Sequence, residues 1–352
     1  MKLGIITITQ GTNYGNRLQV YAVQQVLKKL GHESALLLNN TGVNSATHGI
    51  KMAIKLTLGL KQSREEFARK RSYDRFDRKY LTIDRKALDE SYRKADVGSR
   101  YDAFVCGSDQ VWNPHTPYMN GIFFADFPDV KKRISYAASF GVNEIPEKFR
   151  QKYADWIGAF DAISVREESG RELVRQLCGR GAAVLVDPTM MLDAREWMQI
   201  EEKPAHLPEG KYIFKYFLGK MDTRVEAFVE KTAKEKGLDI IDVLPEKKEK
   251  NYRLNPSHFV YLLHHSELVV TDSFHAVVFS MLFNKPLRVF DRVHRGINMS
   301  TRLDTLLPYF GLTHCRNNFE DWDMKSVNYD LHDKLEARRR ESEAFLRDAL
   351  EA

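Results

Sequence analysis

His275 stands in a Thr-Asp-Ser-Phe-His run between a buried apolar strand and a predicted helix. The first turn of a helix presents free N–H groups and the positive end of the macrodipole, so phosphate or carboxylate would bind beside this histidine. A lone histidine is more often a structural residue, but α/β proteins bind their ligands at the carboxyl ends of parallel strands. The position therefore favours a functional role for His275.

Polar residues follow predicted strands at four places in the chain. Ligands of open parallel sheets bind in the crevice outside the carboxyl ends of the strands. The groups are Asn13, Tyr14 and Asn16; Ser108, Asp109 and Gln110; Arg166 and Glu167; and Asp272, Ser273 and His275. Four such positions predict a site in a cleft between two domains.

Some of these residues also have a purely structural interpretation. Ser108 and Ser273 suit the N-cap of a helix, which serine favours. Arg166 suits a surface ion pair with an acid such as Glu167 or Asp161, which stabilises a protein by only ~0–1 kcal/mol. The sequence leaves both interpretations open.

Short apolar runs alternate with segments of helical spacing, which is typical of parallel sheets covered by helices. The 352 residues exceed the usual size of one hydrophobic core, so two domains are expected. We predict an α/β protein with an N-terminal Rossmann-like domain (1–195), a basic helical insertion (about 45–85), a C-terminal Rossmann-like domain (205–325) and a C-terminal helix (330–352).

The spacing of apolar residues also predicts individual elements. Strands are expected at 3–9, 34–38, 102–106, 134–138, 162–165, 183–186, 212–218, 239–243, 268–271 and 287–290. Helices are expected at 18–30 and 149–160, before Gly237, from Pro256, at 274–283 and at 331–351.

Composition and absent motifs exclude several classes of protein. Hydrophobic residues make up 43% of the chain and charged residues 29%, which indicates a globular protein. The chain has three cysteines without paired or metal-ligand spacing, which suits a reducing cytoplasm. It has no Walker A, dinucleotide, His-Glu-x-x-His or Gly-x-Ser-x-Gly sequence, so neither a metal nor a cofactor is expected.

Positive charge is concentrated in residues 51–79, where ten lysines and arginines meet four acids. The excess of this segment equals the +6 of the whole chain. Ile50, Ile54 and Leu58 have helical spacing among lysines, as in an interfacial helix, so residues 50–79 predict peripheral contact with an anionic membrane. A solvated helical face is the alternative, and no motif indicates nucleic-acid binding.

Six segments resemble the polysaccharide pyruvyltransferase family, and they occur in the order of that family. They are residues 13–19 (Asn-Tyr-Gly-Asn-Arg-Leu-Gln), 107–113 (Gly-Ser-Asp-Gln-Val-Trp-Asn), 135–141 (Ser-Tyr-Ala-Ala-Ser-Phe-Gly), 164–169 (Ser-Val-Arg-Glu-Glu-Ser), 186–189 (Val-Asp-Pro-Thr) and 271–275 (Thr-Asp-Ser-Phe-His). The resemblance covers nearly the whole chain. One departure is Ala276, where members often have glycine.

The resemblance implies a glycosyltransferase-B-like fold of two facing Rossmann-like domains. It also implies transfer of pyruvate from phosphoenolpyruvate to two hydroxyls of one sugar, which gives a cyclic ketal and phosphate. The acceptor would be a cell-surface polysaccharide or its lipid-linked precursor. The protein would be cytoplasmic, or peripheral at the inner face of the cytoplasmic membrane. A glycosyltransferase that uses a nucleotide sugar on the same fold is the alternative, because a fold does not fix a function.

This chemistry suggests roles for the polar residues. His275 would be the general acid or a phosphate ligand, and Asp109 the base or the residue that orients the acceptor. Arg166 would clamp the phosphate or carboxylate of the donor. The other predicted substrate-binding residues are Asn13, Tyr14, Asn16, Ser108, Gln110, Asp272, Ser273, Arg295 and Arg302.

Overall fold

The structure, a computed structural model, describes residues 1–9, 11–39, 61–88, 91–92, 96–116, 119–207, 209–244, 253–294, 297–298, 301–320 and 331–352. The chain divides into two compact units. The first unit takes in the described parts of residues 1–52, 77–191 and 334–352, and the second takes in those of 53–76 and 192–333.

A seven-stranded sheet, parallel throughout, forms the centre of the first unit. Its strands are β1 (Lys2–Ile6), β2 (Glu33–Asn39), β3 (Ile83–Leu88), β4 (Ala103–Cys106), β5 (Arg133–Ala138), β6 (Ala162–Val165) and β7 (Ala183–Val184). Their order across the sheet is β3-β2-β1-β4-β5-β6-β7. β4 is buried at every position, as expected for a strand that is covered on both faces.

A four-stranded parallel sheet forms the centre of the second unit, in the order β11-β10-β8-β9. Its strands are β8 (Tyr212–Tyr216), β9 (Asp239–Asp242), β10 (Leu268–Thr271) and β11 (Leu287–Val289). A short antiparallel pair follows, β12 (Val293–His294) and β13 (Ile297–Asn298).

Helices connect most of these strands, as parallel pairing requires. The described α-helices are α1 (Tyr14–Lys29), α2 (Lys61–Tyr80), α3 (Glu147–Gly158), α4 (Glu168–Cys178), α5 (Ala194–Met198), α6 (Thr223–Lys236), α7 (Pro256–His264), α8 (Phe274–Leu282), α9 (Thr301–Phe310) and α10 (His332–Glu351). The C-terminal helix α10 returns to the first unit, where Leu346 and Leu350 share one apolar core with Leu3 and Leu27.

The two parallel sheets confirm the predicted α/β class with Rossmann-like units. Five strands end earlier than predicted, and they are β1 at Ile6, β7 at Val184, β8 at Tyr216, β9 at Asp242 and β11 at Val289. After β1 and β8 the next residues bind polar groups that follow other strands. Thr7 donates its hydroxyl to the Ser108 carbonyl (3.1 Å), and Leu218 donates its amide to the Asp272 carboxylate (2.8 Å).

Part of the predicted basic insertion is described, and it is helix α2. The apolar positions Ile50, Ala53, Ile54 and Leu58 of the predicted interfacial helix lie outside the described residues. Among the helices of the described ranges, none is both long and apolar enough to span a bilayer.

Candidate functional site

The first unit has a topological switch point between β1 and β4. The chain runs from β1 through β2 to β3, and then returns to β4 on the opposite side of β1. In open α/β sheets the crevice at the carboxyl ends of two such strands binds the ligand. The predicted residues 107–110 follow β4 and lie at this point.

Gly107 allows the chain to turn after β4. Its φ is +124°, and a Cβ there would lie 2.3 Å from the Tyr136 carbonyl oxygen, so a side chain is excluded on both counts. Asp109 also has a positive φ of 63°. Its backbone carbonyl accepts from the Ser139 amide at 3.0 Å, which fixes the loop to the end of β5.

Arg166 is buried at the end of β6, with 2% of its side chain exposed. Its Nη1 donates to Asp187 Oδ2 and to Ser108 Oγ, the latter at 3.3 Å. Its Nη2 lies 3.7 Å from Asp109 Oδ1. The Ser108 hydroxyl donates to Asp187 Oδ2 at 2.8 Å, and Asp187 Oδ1 accepts from the amide and hydroxyl of Thr189. One guanidinium thus lies between two carboxylates at the switch point.

Glu167, the next residue, has separate partners. Its Oε1 accepts from the Ser139 hydroxyl (2.9 Å) and from the amides of Phe140 (2.9 Å) and Gly141 (3.1 Å). The alternative of a surface pair between Arg166 and Glu167 is therefore wrong. Burial gives each residue its own partners, and Glu167 holds the loop after β5 in place.

Ser108 and Gln110 are both buried in this loop. Because the Ser108 hydroxyl donates to Asp187, the alternative of a helix N-cap is wrong. The Gln110 amide packs against Gly141, where a Cβ would lie 2.2 Å from Nε2, and its Oε1 accepts from Asn113 at 3.4 Å. Close packing therefore fixes the orientation of the Gln110 side chain.

Two further titratable groups beside the loop are neutral. Burial raises the pKa of the Cys106 thiol, and it also raises the pKa of the Tyr136 phenol, an effect to which Asp187 adds. The Tyr136 hydroxyl donates to the Val186 carbonyl at 3.3 Å. Neither group is ionised near neutral pH, so the thiolate that nucleophilic chemistry requires does not form at Cys106.

Asn13, Tyr14 and Asn16 form the start of α1, beyond the end of β1. Asn13 is the N-cap and accepts from the Asn16 amide at 3.4 Å. Tyr14 is fully buried, and the Asn16 carbonyl accepts from Gln19 Nε2 at 3.1 Å. These contacts build the helix start, and a substrate contact of the three residues stays a prediction.

The second unit has its own switch point, between β8 and β10. The chain passes from β8 to β9 on one side and then to β10 on the other. Asp272, directly after β10, bridges this point, because its carboxylate accepts from the amides of Leu218 and Gly219 after β8, both at 2.8 Å. The carboxylate therefore joins the two loops that border the crevice.

Helix α8 begins beside Asp272. Ser273 is its N-cap residue, as the sequence predicted, but its side chain makes no capping hydrogen bond. His275 lies in the first turn and is 6% exposed, with its ring edge-on to Phe274 at 5.5 Å between centroids. The positive end of a nine-residue helix is thus directed at the switch point without a side-chain cap.

Arg292, which was not predicted from the sequence, lies at the switch point of the second unit. Its Nε donates to Asp272 Oδ2 and its Nη2 to the Asp272 carbonyl, both at 2.9 Å. Arg302 is buried with its guanidinium over the Phe274 ring, at 5.5 Å from the centroid. Arg295 lies outside the described residues.

The predicted residues thus form two groups, one at each switch point. Ser108, Asp109 and Arg166 come together in the first unit, and Asp272, Ser273 and His275 in the second. Sequence reasoning missed the partners Asp187 and Arg292. Asp187 offered a signal, since an aspartate in a Val-Asp-Pro-Thr run after an apolar strand occupies the same kind of position as Asp109.

A family model described as polysaccharide pyruvyl transferase matches residues 13–294, which is most of the chain. The protein therefore belongs to the polysaccharide pyruvyl transferase family, a family of transferases, as the sequence motifs predicted. A comparison with curated protein sequences finds no match.

Solved structures resemble the chain at the level of the fold. A putative UDP-N-acetylglucosamine 2-epimerase from Listeria monocytogenes has a TM-score of 0.53 at 10% sequence identity, covering 99% of this chain and 89% of that chain. A UDP-GlcNAc 2-epimerase from Neisseria meningitidis, bound to UDP-GlcNAc, has a TM-score of 0.48 at 10% identity, covering 100% of both chains. The first likeness supports the glycosyltransferase-B type of fold alone, and the second lies below the similarity at which a shared fold is inferred.

Proposed function

We propose that this protein is a ketal pyruvyltransferase that uses phosphoenolpyruvate. It moves pyruvate onto two hydroxyls of one sugar in a cell-surface polysaccharide, or in the lipid-linked precursor of one, and releases phosphate. Membership of the polysaccharide pyruvyl transferase family supports the reaction class. The identity of the donor rests on the chemistry of the second switch point.

One observation carries this assignment: the N-terminus of α8 has no side-chain cap, and His275 lies in its first turn. Free N–H groups at a helix N-terminus bind phosphate or carboxylate, and phosphoenolpyruvate carries both. The neighbouring Arg292, whose Nε and Nη2 are bound to Asp272, adds the positive charge of a guanidinium. A titratable imidazole beside these donors suits proton transfer to or from a bound anion.

The reaction balances without a cofactor. A proton adds to the methylene carbon of phosphoenolpyruvate, and the first sugar hydroxyl adds to the resulting oxocarbenium-like carbon. The C–O bond to phosphate then breaks, and the second hydroxyl closes the ketal ring. Of the two hydroxyl protons, one replaces the proton that the new methyl group took from the acid, and the other leaves with phosphate.

Each step requires a group that the chain offers. His275 delivers the proton or holds the phosphate, and Asp109 takes a hydroxyl proton or orients the acceptor. Arg166 lies between Asp187 and Asp109, with its Nη1 on Asp187. We therefore assign Arg166 a positioning role, in which it sets the direction of Asp109, in place of the predicted clamp on the donor.

The outer face of α2 supports an acceptor at a membrane surface. Glu65, Arg69, Tyr73 and Phe76 are buried on one face of this helix. From Glu65 onward, where the side chains of the helix are described, the exposed positions are Phe67, Lys70, Arg71, Arg75, Arg78 and Lys79. Five cations and one aromatic ring on one helix suit an anionic lipid surface. The proposal thus describes a cytoplasmic enzyme at the inner face of the cytoplasmic membrane.

The test is incubation of the full chain with phosphoenolpyruvate and a panel of aryl and lipid-linked hexosides. We expect phosphate release that depends on a hexoside, together with an acid-labile ketal on the sugar by mass spectrometry. Thermal stabilisation by UDP-sugars but not by phosphoenolpyruvate, with no ketal formed, would overturn the proposal in favour of a nucleotide-sugar glycosyltransferase.

A histidine variant tests the residue that carries the assignment. His275→Asn should lower the rate of phosphate release by about 10²–10⁴-fold, because a positioned acid or base contributes that much. The control is His206→Ala, an exposed histidine of the same unit, which should leave the rate unchanged. Equal rates in the two variants would remove His275 from the reaction.

A further inference from the structure

A second cluster of titratable residues lies in the second unit and has no part in the proposed reaction. One ligand atom each of Glu201, His264 and His265 lies within 4.8 Å of the others. Glu201 Oε1 is 2.6 Å from His264 Nδ1, and Glu201 Oε2 is 3.4 Å from His265 Nε2. The two carboxylate oxygens are therefore shared between two imidazoles.

The folding of α7 brings the histidines together. His264 is the last residue of the helix, and His265 is its C-cap, with φ −93° and ψ 5°. Ring packing fixes both imidazoles: His264 stacks on Phe283 with centroids 4.5 Å apart, and His265 stacks on Tyr261 at 4.2 Å. The rotamers are thus set by packing, so little conformational entropy is lost when the two nitrogens bind a common ligand.

The donor set, two imidazole nitrogens and one carboxylate, is typical of zinc sites. With bond lengths of about 2.0–2.2 Å, the ligand atoms of a tetrahedral zinc ion are roughly 3.3–3.6 Å apart. The distance of 2.6 Å lies below this range and the distance of 3.4 Å lies within it, so side-chain shifts of about 1 Å suffice. Water would complete the fourth position.

The cluster lies at the amino end of strand β10, whereas the switch point lies at the carboxyl ends of the strands. His264 and His265 precede the amino end of β10, whereas Asp272 and His275 follow its carboxyl end. Burial lowers the pKa of Lys285, before β11, and the nearby Glu267 and Glu201 partly oppose this shift. An ion at this position would cross-link the segment after α5 to the end of α7.

We infer that Glu201, His264 and His265 form a binding site for one zinc ion, with three protein ligands and one position open to water. Zinc binds a neutral imidazole, so the proton of His264 stays on Nε2 when Nδ1 binds the ion. The site is independent of the proposed pyruvyl transfer, because its ligands do not belong to either switch point.

The experiment is calorimetric titration of the chelator-treated full chain with zinc chloride. We expect one ion per chain and a higher melting temperature in the loaded protein. Co²⁺ should occupy the same site and give the visible absorption of a four- or five-coordinate ion.

The informative variants are His265→Ala and Glu201→Gln, since His265 is 45% exposed and its loss leaves the core intact. Each should weaken zinc binding at least about tenfold, or ~1.4 kcal/mol. His206→Ala is the control and should bind zinc as the unchanged chain does. Absence of stoichiometric binding, or the same affinity in all three variants, would overturn the inference.

Discussion

The Asp272 carboxylate is held from two sides at once, by the Arg292 guanidinium and by backbone amides across the switch point. Arg292 Nε donates to Oδ2 at 2.9 Å, and the amides of Leu218 and Gly219 donate at 2.8 Å each. A Cβ on residue 219 would lie 2.7 Å from Arg292 Cγ. Arg292 can therefore approach Asp272 only because residue 219 is a glycine. Asp272 therefore fixes both the arginine and the loop that border the start of α8.

Substitution of Asp272 tests this positioning role. Asp272→Asn should lower kcat/KM for phosphoenolpyruvate by about 10–100-fold, because the amide has one acceptor oxygen for four hydrogen bonds and Arg292 loses its fixed geometry. The free energy of unfolding should fall by about 1–3 kcal/mol. Steady-state kinetics and urea denaturation measure the two effects.

The matched control is Asp242→Asn, at the end of β9 in the same sheet. Its carboxylate pairs with Lys215 at 2.7 Å but is 29% exposed, so its loss should cost only ~0–1 kcal/mol and leave the kinetics unchanged. If the two variants behave alike, Asp272 has no special role at the switch point.

The buried pair of Arg166 and Asp187 predicts a large cost for removing one partner. Arg166→Ala leaves the Asp187 carboxylate, whose side chain is 0% exposed, without its cation, so unfolding free energy should fall by about 3–5 kcal/mol. Arg166→Met with Asp187→Asn should recover part of this stability, because the neutral amide needs no cation and still accepts from Thr189.

Measured activity separates the effect of Arg166 on stability from its effect on the positions of Ser108 and Asp109. The double variant should stay inactive although it is folded, because Ser108 and Asp109 lose the guanidinium that aligns them. Denaturation curves and phosphate release measure both quantities. Full activity in the stable double variant would show that Arg166 serves stability alone.

Gly107 predicts a backbone effect on the same loop. Gly107→Ala should lower unfolding free energy by at least about 2 kcal/mol, because a non-glycine residue is strained at its φ of +124° and the methyl group meets the Tyr136 carbonyl. Gly181→Ala is the control, since a Cβ there meets nothing within 4 Å. Thermal unfolding of both proteins measures the difference, and equal melting temperatures would contradict the packing around Gly107.

The sequence predicted the fold well where apolar runs are bounded by polar residues. The bounds of β6 and β10 match the prediction residue for residue. Strand β3 was missed, because an edge strand of sequence Ile-Asp-Arg-Lys-Ala-Leu has no continuous apolar run. Helix α4 was missed because Leu173 and Val174 are the only large apolar residues that it buries.

The candidate site was predicted in its positions but not in its pairings. Strand-to-helix junctions can be located from the sequence, and these led to Asp109, Arg166 and His275. The partners Asp187 and Arg292 depend on the order of strands across each sheet, which brings together residues far apart in the chain. Local sequence patterns carry no information about that order.

His258 predicts a loss of stability in acid. It closes the capping box of α7: the Asn255 amide donates to His258 Nδ1 at 3.2 Å, which requires a neutral imidazole. Burial, and to a lesser extent Arg75, lowers the pKa of His258 below 6.5, although Glu202 raises it. The unfolded chain therefore takes up the proton first, so stability is full above about pH 6.5 and falls as pH decreases toward the folded pKa.

A glutamine variant isolates this contribution. His258→Gln keeps an acceptor for the Asn255 amide but does not titrate, so its unfolding free energy should change less between about pH 7.5 and pH 5. Urea denaturation across this range measures the slope. Parallel pH profiles in the two proteins would assign the acid sensitivity to other groups.

The exposed face of α2 predicts binding to anionic vesicles that is sensitive to salt. The triple variant Arg71→Gln, Arg75→Gln and Arg78→Gln should weaken binding to vesicles of phosphatidylglycerol and phosphatidylcholine about tenfold or more, since each cation near such a surface contributes about 1 kcal/mol. Lys231→Gln, Lys234→Gln and Lys236→Gln remove the same charge from exposed positions on α6 and serve as the control. Cosedimentation at low and high ionic strength measures both. Equal losses in the two variants would mean that net charge alone, and no particular face of α2, governs the contact.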